Sequence, residues 1–109
     1  MHELSIVRNI VALVDERAAG RRVRRVDVEI GKLSGVDVRA VTYCFDLCAE
    51  GTSLEGAELV VEEIPGQGRC RDCARAVPLE RPVGICPCEK RARLDIERGE
   101  ELRVRSLET

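Results

Sequence analysis

Four cysteines fall in two close pairs, Cys70-Arg71-Asp72-Cys73 and Cys86-Pro87-Cys88, with twelve residues between the pairs. Two such pairs can present four thiolates from two turns, the tetrahedral donor set that zinc takes. The second pair has one intervening residue instead of two, so a tighter turn is expected at Cys88. Around them, residues 66–92 offer only Val77, Leu79, Val83 and Ile85 for burial. Apolar burial on that scale does not offset the entropy of ordering the segment. Metal binding, worth roughly 10–16 kcal/mol in small zinc peptides, is expected to supply the difference. The alternatives on the same residues are four unligated core cysteines, or a thioredoxin-like redox pair at Cys70 and Cys73. A redox pair needs a strand-to-helix context to activate its thiolate, and the segment lacks one.

A second place for chemistry is the N-terminus. His2 is the only histidine, and it directly follows the α-amino group of Met1. The amine, the deprotonated His2 amide and the imidazole can lie in one plane around a divalent ion. Such a nitrogen-rich, square-planar set suits nickel(II) or copper(II) rather than magnesium or calcium. Taken alone, a histidine at position 2 is most often just part of a disordered tail. The remaining cysteines, Cys44 and Cys48, lie four apart in an apolar helical pattern and read as core, since free cysteine packs as a small hydrophobe.

The elements that must hold these groups follow from periodicity. Leu4, Val7, Val11 and Val14, widened by Ile10 and Ala18, predict an amphipathic helix over 3–19, stopped by Gly20. Val26, Val28 and Ile30 alternate with Asp27 and Glu29 in a strand within 22–33. Ser34 or Asp37 can cap a second helix over 37–50, with Val38, Val41, Phe45 and Cys48 on one face. A second strand is expected over 57–64 and a third over 101–107, the latter with Leu102 and Val104 turned inward. Pro65-Gly66-Gln67-Gly68 reads as a break. The expected fold is α+β: a three-stranded sheet with two helices on one face and a small inserted, zinc-ribbon-like lobe. Residues 1–65 and 94–109 would form the main domain and 66–93 the lobe.

Composition narrows the function classes. The 109 residues suit one small domain with an appended lobe. The net charge of −2 gives no general attraction to nucleic acid or anionic membrane. The run Arg21-Arg22-Val23-Arg24-Arg25 is read as a solvated surface, because no stacking aromatics accompany it. No stretch approaches the roughly 20 apolar residues of a membrane span, and His2 and Glu3 stand where a signal peptide would be basic. A cytoplasmic location is expected, where six cysteines point to metal or packing rather than disulfides. With one histidine, no nucleophile–base–acid set can be assembled, so a non-enzyme is expected.

Met1-His2-Glu3-Leu4-Ser5-Ile6 resembles the opening of the HypA/HybF family of hydrogenase-maturation nickel metallochaperones. The resemblance continues through Val28-Glu29-Ile30-Gly31-Lys32-Leu33-Ser34, Cys44-Phe45-Asp46-Leu47 and Glu55-Gly56-Ala57. It takes in both cysteine pairs and ends at Gly99-Glu100-Glu101-Leu102-Arg103-Val104, covering essentially the whole chain in order. It implies nickel(II) carried at Met1, His2 and Glu3, with His2 the one side-chain ligand, and structural zinc(II) on Cys70, Cys73, Cys86 and Cys88. It also implies a nickel-handling GTPase as partner and the large subunit of [NiFe]-hydrogenase as client, with urease a further client in some organisms. A monomer or homodimer is compatible with it. Two rivals stand beside it, a zinc-ribbon nucleic-acid binder and a thiol redox module.

Overall fold

The computed structural model describes residues 3–109, so the expected roles of Met1 and His2 lie outside the described residues. Among the described residues, two helices and six strands follow one another as α1 (Glu3–Ala18), β1 (Arg25–Gly31), α2 (Val38–Ala49), β2 (Glu58–Ile64), β3 (Gly66–Cys70), β4 (Ala76–Leu79), β5 (Leu94–Arg98) and β6 (Leu102–Glu108). The strands form two three-stranded sheets, ordered β2-β1-β6 and β4-β3-β5. The α+β class expected from periodicity is the one observed.

The chain divides into two compact units. The first comprises the residues up to Glu29, Val36–Glu62 and Arg103–Thr109; the second comprises Ile30–Gly35 and Glu63–Leu102. The second unit is thus wider than the 66–93 segment marked by the cysteines. It includes β5 and the stretch from Ile30 to Gly35.

In the first unit, α1 buries Val7, Val11, Val14 and Ala18 against α2, which buries Val41, Phe45 and Ala49. The spacing of three and four residues puts each set on one helical face. β1 places Val26 and Val28 on its buried face. On the opposite face, Asp27 accepts from Ser106 Oγ at 2.9 Å and Glu29 pairs with Arg103. The buried valines and the charged residues thus lie on opposite faces of β1. α1 stops where Ala19 (φ 52°) and Gly20 (φ 88°) both turn left-handed, a conformation glycine adopts without penalty. Asp37, not Ser34, caps α2: its Oδ1 accepts from Arg39 N at 2.9 Å and Ala40 N at 3.4 Å. Asp15 on α1 accepts from the Ser53 hydroxyl and, at 3.0 Å, from Ser53 N. This bond ties the loop after α2 to the first helix. Leu54 on the same loop is fully buried.

Some expected orientations are corrected. Leu4 and Leu102 are each 40% exposed rather than inward. Leu4 falls at the edge of the α1 stripe, where the buried positions begin with Glu3 and Val7. In β6, Leu102 shares the face of the half-buried Val104, but it is the first residue of the strand and stays exposed there. Val83 and Ile85 do not enter the core of the second unit; they are exposed at 73% and 59%.

Gly66 and Gly68, read as a break, lie inside β3. Gly66, Gly68 and Cys70 are buried in strict alternation. A Cβ on Gly68 would meet Leu79 Cδ1 at 2.9 Å and Leu94 Cβ at 3.0 Å. These glycines let the neighbouring strands close over a strand with little side chain of its own, a known use of glycine in sheets. Pro78 is accommodated because β4 is an edge strand. Gly31 has a similar role at the end of β1. Its N–H donates to Glu101 O at 2.7 Å, and a Cβ there would run into the carbonyl of Gly99.

Candidate metal centre

The first cysteine pair sits on a turn leaving β3. Cys70 ends the strand, Ala74 turns back with φ 61°, and Ala74 N donates to Cys70 O at 3.1 Å while Cys70 N donates to Arg75 O at 2.9 Å. The turn aims two amides inward: Asp72 N and Cys73 N each lie 3.4 Å from Cys70 Sγ. The second pair lies on a segment pairing with residues 92–94. Cys86 N donates to Ala92 O at 2.9 Å, Ile85 bridges Arg93, and Arg91 N donates to Cys88 O at 3.0 Å. The short Cys86-Pro87-Cys88 turn is completed by the loop from Cys88 to Ala92, which folds its amides back toward the Cys88 sulfur.

These two turns bring four sulfurs together. The Sγ atoms of Cys70, Cys73, Cys86 and Cys88 all lie within 4.8 Å of one another. Cys70 Sγ is 3.8 Å from Cys88 Sγ, and Cys73 Sγ is 3.7 Å from Cys86 Sγ. A tetrahedral zinc with Zn–S of about 2.3 Å places its sulfurs about 3.8 Å apart, so the donor set fits such an ion. Cys88, with its single intervening residue, reaches the cluster like the others. This is the one such cluster of potential metal-binding side chains among the described residues.

The electrostatics suit anionic sulfur. The Cys73 N–H pointed at Cys70 lowers that thiol from its ordinary value. The Ala92 N–H does the same for Cys88, bringing it down to about 6. Burial acts the other way on Cys86, pushing it up to about 12. A thiolate buried there needs a cation beside it. Two of the four sulfurs are thus favoured as thiolates by backbone donors, and the most enclosed is disfavoured by burial.

The other candidate groups are placed differently. Cys44 and Cys48 are half-buried on α2, beside Val41 and Phe45 and outside the four-sulfur cluster. The Glu3 carboxylate accepts the Asp37 N–H at 3.0 Å, and Glu3 is only 9% exposed. That engagement, invisible in the linear sequence, links the first turn of α1 to the cap of α2. In the arginine run, Arg22 donates to Glu55 O at 2.7 Å, and Arg25 pairs with Asp27 at 2.8 Å and Glu108 at 3.6 Å. Cys70 and Cys73 are followed by a turn and a strand, not by the helix that a thioredoxin-like pair requires. No helix among the described residues is long and apolar enough to cross a membrane.

Comparison with known proteins gives one consistent result. A family model described as HypA, hydrogenase/urease nickel incorporation, metallochaperone, matches residues 1–109. The hydrogenase maturation factor HypA of a Nostoc species is 52% identical over 108 residues, covering 99% of this chain and 95% of the relative. That of Geobacter sulfurreducens is 44% identical over 108 residues, covering 99% and 98%. Among solved structures, the solution structure of the nickel metallochaperone HypA from Helicobacter pylori superposes with a TM-score of 0.68 at 28% identity, covering 99% of this chain and 97% of that one. A second solution structure of a HypA protein gives a TM-score of 0.71 at 30% identity, covering 99% and 95%.

Proposed function

The chain belongs to the HypA family of metallochaperones for nickel incorporation, and from that premise we propose that it receives nickel(II) at its N-terminus and passes it to a maturing [NiFe]-hydrogenase. The reading rests on a match that runs from residue 1 to residue 109 and so includes the Met1-His2-Glu3 opening. Nickel is cargo here. The Met1 amine, backbone amides and the His2 ring would hold it, with His2 the one side-chain ligand. The Glu3 carboxylate is already engaged with the Asp37 N–H, which favours a role for Glu3 through its backbone. A nickel-handling GTPase as partner, the hydrogenase large subunit as client and a cytoplasmic location follow from the same reading. Urease is a second client in this proposal.

Zinc(II) on Cys70, Cys73, Cys86 and Cys88 is the structural complement. The sulfur spacing is what a tetrahedral ion of zinc's size requires. In that role zinc would neutralise the thiolates and cross-link two turns, with no part in turnover. A metallochaperone of this kind is a carrier and not a catalyst.

Calorimetric nickel titration of protein with a native N-terminus tests the reading. His2→Ala, or one extra residue ahead of Met1, should abolish tight nickel binding and leave zinc content and helicity unchanged. Affinity should also fall as pH drops below neutral, since both the amine and the imidazole must lose protons. Undiminished nickel affinity in either variant would move the ion elsewhere, with the cysteines first in line.

A further inference from the structure

We propose that an open groove beside the four-cysteine cluster docks an extended, acidic segment of a partner protein, anchored by branched apolar side chains. The proposal does not depend on nickel binding at the N-terminus.

The groove, of about 1030 Å³, lies within the second unit. One wall is the stretch Pro82–Ile85 and the other includes Ile96 of β5. Its apolar strip is fixed by the backbone. Leu94 N donates to Gly84 O at 3.2 Å, Cys86 N donates to Ala92 O at 2.9 Å, and Ile85 bridges Arg93. In a segment held extended in this way, successive side chains point to opposite faces. Cys86 is buried, and a Cβ on Gly84 would press on Leu79 Cδ2 at 2.7 Å and Leu94 Cδ1 at 3.2 Å. Gly84 and Cys86 therefore face inward, and Val83 and Ile85 must face out. A unit this poor in apolar side chains thus holds two of them in the open by construction.

Charge indicates the occupant. Three arginines line the groove, Arg71, Arg91 and Arg93, against the acids Asp95 and Glu100. Arg71 is taken up by Asp95 at 2.8 Å. Arg91 and Arg93 join no ion pair among the described residues. Arg93 opposes Ile85 across the bridge, and bridge partners share a face, so its guanidinium lies beside the apolar strip. The chain as a whole is negative, with a net charge of −2, so this local excess is set against the general trend. No aromatic side chain lines the groove to stack a base, which favours an acidic peptide over a single-stranded nucleic acid.

The test uses the full, metal-loaded chain and a fluorescent synthetic peptide alternating Leu or Val with Asp or Glu. A lysine-for-acid counterpart and an oligouridylate serve as further probes. The acidic peptide should bind, weaken with added salt, and shift the amide resonances of residues 83–85 and 91–96. Ile85→Asp should weaken it about tenfold or more, the range for a central anchor. Ile85 is exposed, so this variant should keep its metal and its fold. The double change Arg91→Glu, Arg93→Glu should weaken it comparably without touching the apolar strip. No binding of the acidic peptide, equal binding by Ile85→Asp, or preference for the lysine peptide or the oligouridylate would each overturn the proposal. So would a wild-type dimer dispersed by Ile85→Asp, which would make the occupant a second copy of this chain.

Discussion

The two units solve the problem of a small core in opposite ways. In the first, Val7, Val14, Val26, Val28, Val41, Phe45 and Leu54 are all but inaccessible to solvent, and ordinary apolar burial between helices and sheet holds the structure. In the second, the core around the cysteines is Cys70, Cys86 and Leu94, with Val77, Leu79, Cys88 and Ala92 partly buried around it. Three of those seven residues belong to the four-sulfur cluster. Around the cysteines the same atoms are both core and donor set, so beyond the buried Ile30 and Ile64 the stability of this unit is expected to follow metal occupancy. Ion pairs at the surface, such as Arg69–Glu97 at 2.7 Å and Arg71–Asp95 at 2.8 Å, guide register more than they hold the unit together.

The contrast can be broken most directly at Cys86. Cys86→Ser, or chelation of the wild type, should unfold the β4-β3-β5 sheet while α1 and α2 persist. Amide exchange read unit by unit checks this: protection retained in β3 without metal would dissolve the distinction. The converse change is Phe45→Ala. Loss of a buried phenyl ring should destabilise the first unit by about 3–5 kcal/mol, with metal content unaltered. Equilibrium denaturation alongside zinc analysis reads both.

How much of this was legible beforehand depends on the unit. The helices and the β2-β1-β6 sheet announce themselves because side chains such as Val7, Val11 and Val14, or Val26 and Val28, repeat at the period of their element. The cysteine pairs were legible from spacing alone. The strands β3 and β5 were not. β3 shows Gly66 and Gly68 where a strand ordinarily shows branched residues, and Gly-rich sequence reads as a turn until the facing Leu79 and Leu94 are seen. The outward placement of Val83 and Ile85 was hidden for a related reason. It is set by Gly84 packing inward, and a glycine carries no apolar mark. The Glu3–Asp37 and Asp15–Ser53 bonds span 34 and 38 residues, and no local pattern encodes them.

Smaller changes sharpen the comparison within the first unit. Asp37→Ala removes the cap of α2 and should cost about 1 kcal/mol, seen as a lowered denaturation midpoint with metal still bound. The smallest effect is expected at Asp15. The Ser53 hydroxyl and N–H hold its carboxylate below the ordinary value of 3.8. A carboxylate with a depressed folded-state pKa contributes stability that is complete above its unfolded pKa and is lost as pH falls through the folded one. The window therefore lies below about pH 4. Asp15→Asn should be less stable than wild type at neutral pH, and the gap should narrow on acidification through that window. A gap independent of pH would mean that the carboxylate charge is not what Ser53 reads.

The pairing of β1 with β6 carries a kinetic consequence. Glu29 meets Arg103 across 74 residues and Asp27 meets Ser106 across 79, whereas the sulfur contacts close separations of only 13 and 18. Loop closure grows costlier with length, and long-range strand pairing is the slow part of folding. Refolding should therefore be sequential: the cysteine turns capture their metal early, and the β1–β6 seam zips last. Withholding zinc until late in refolding should then delay recovery of the second unit far more than recovery of α1.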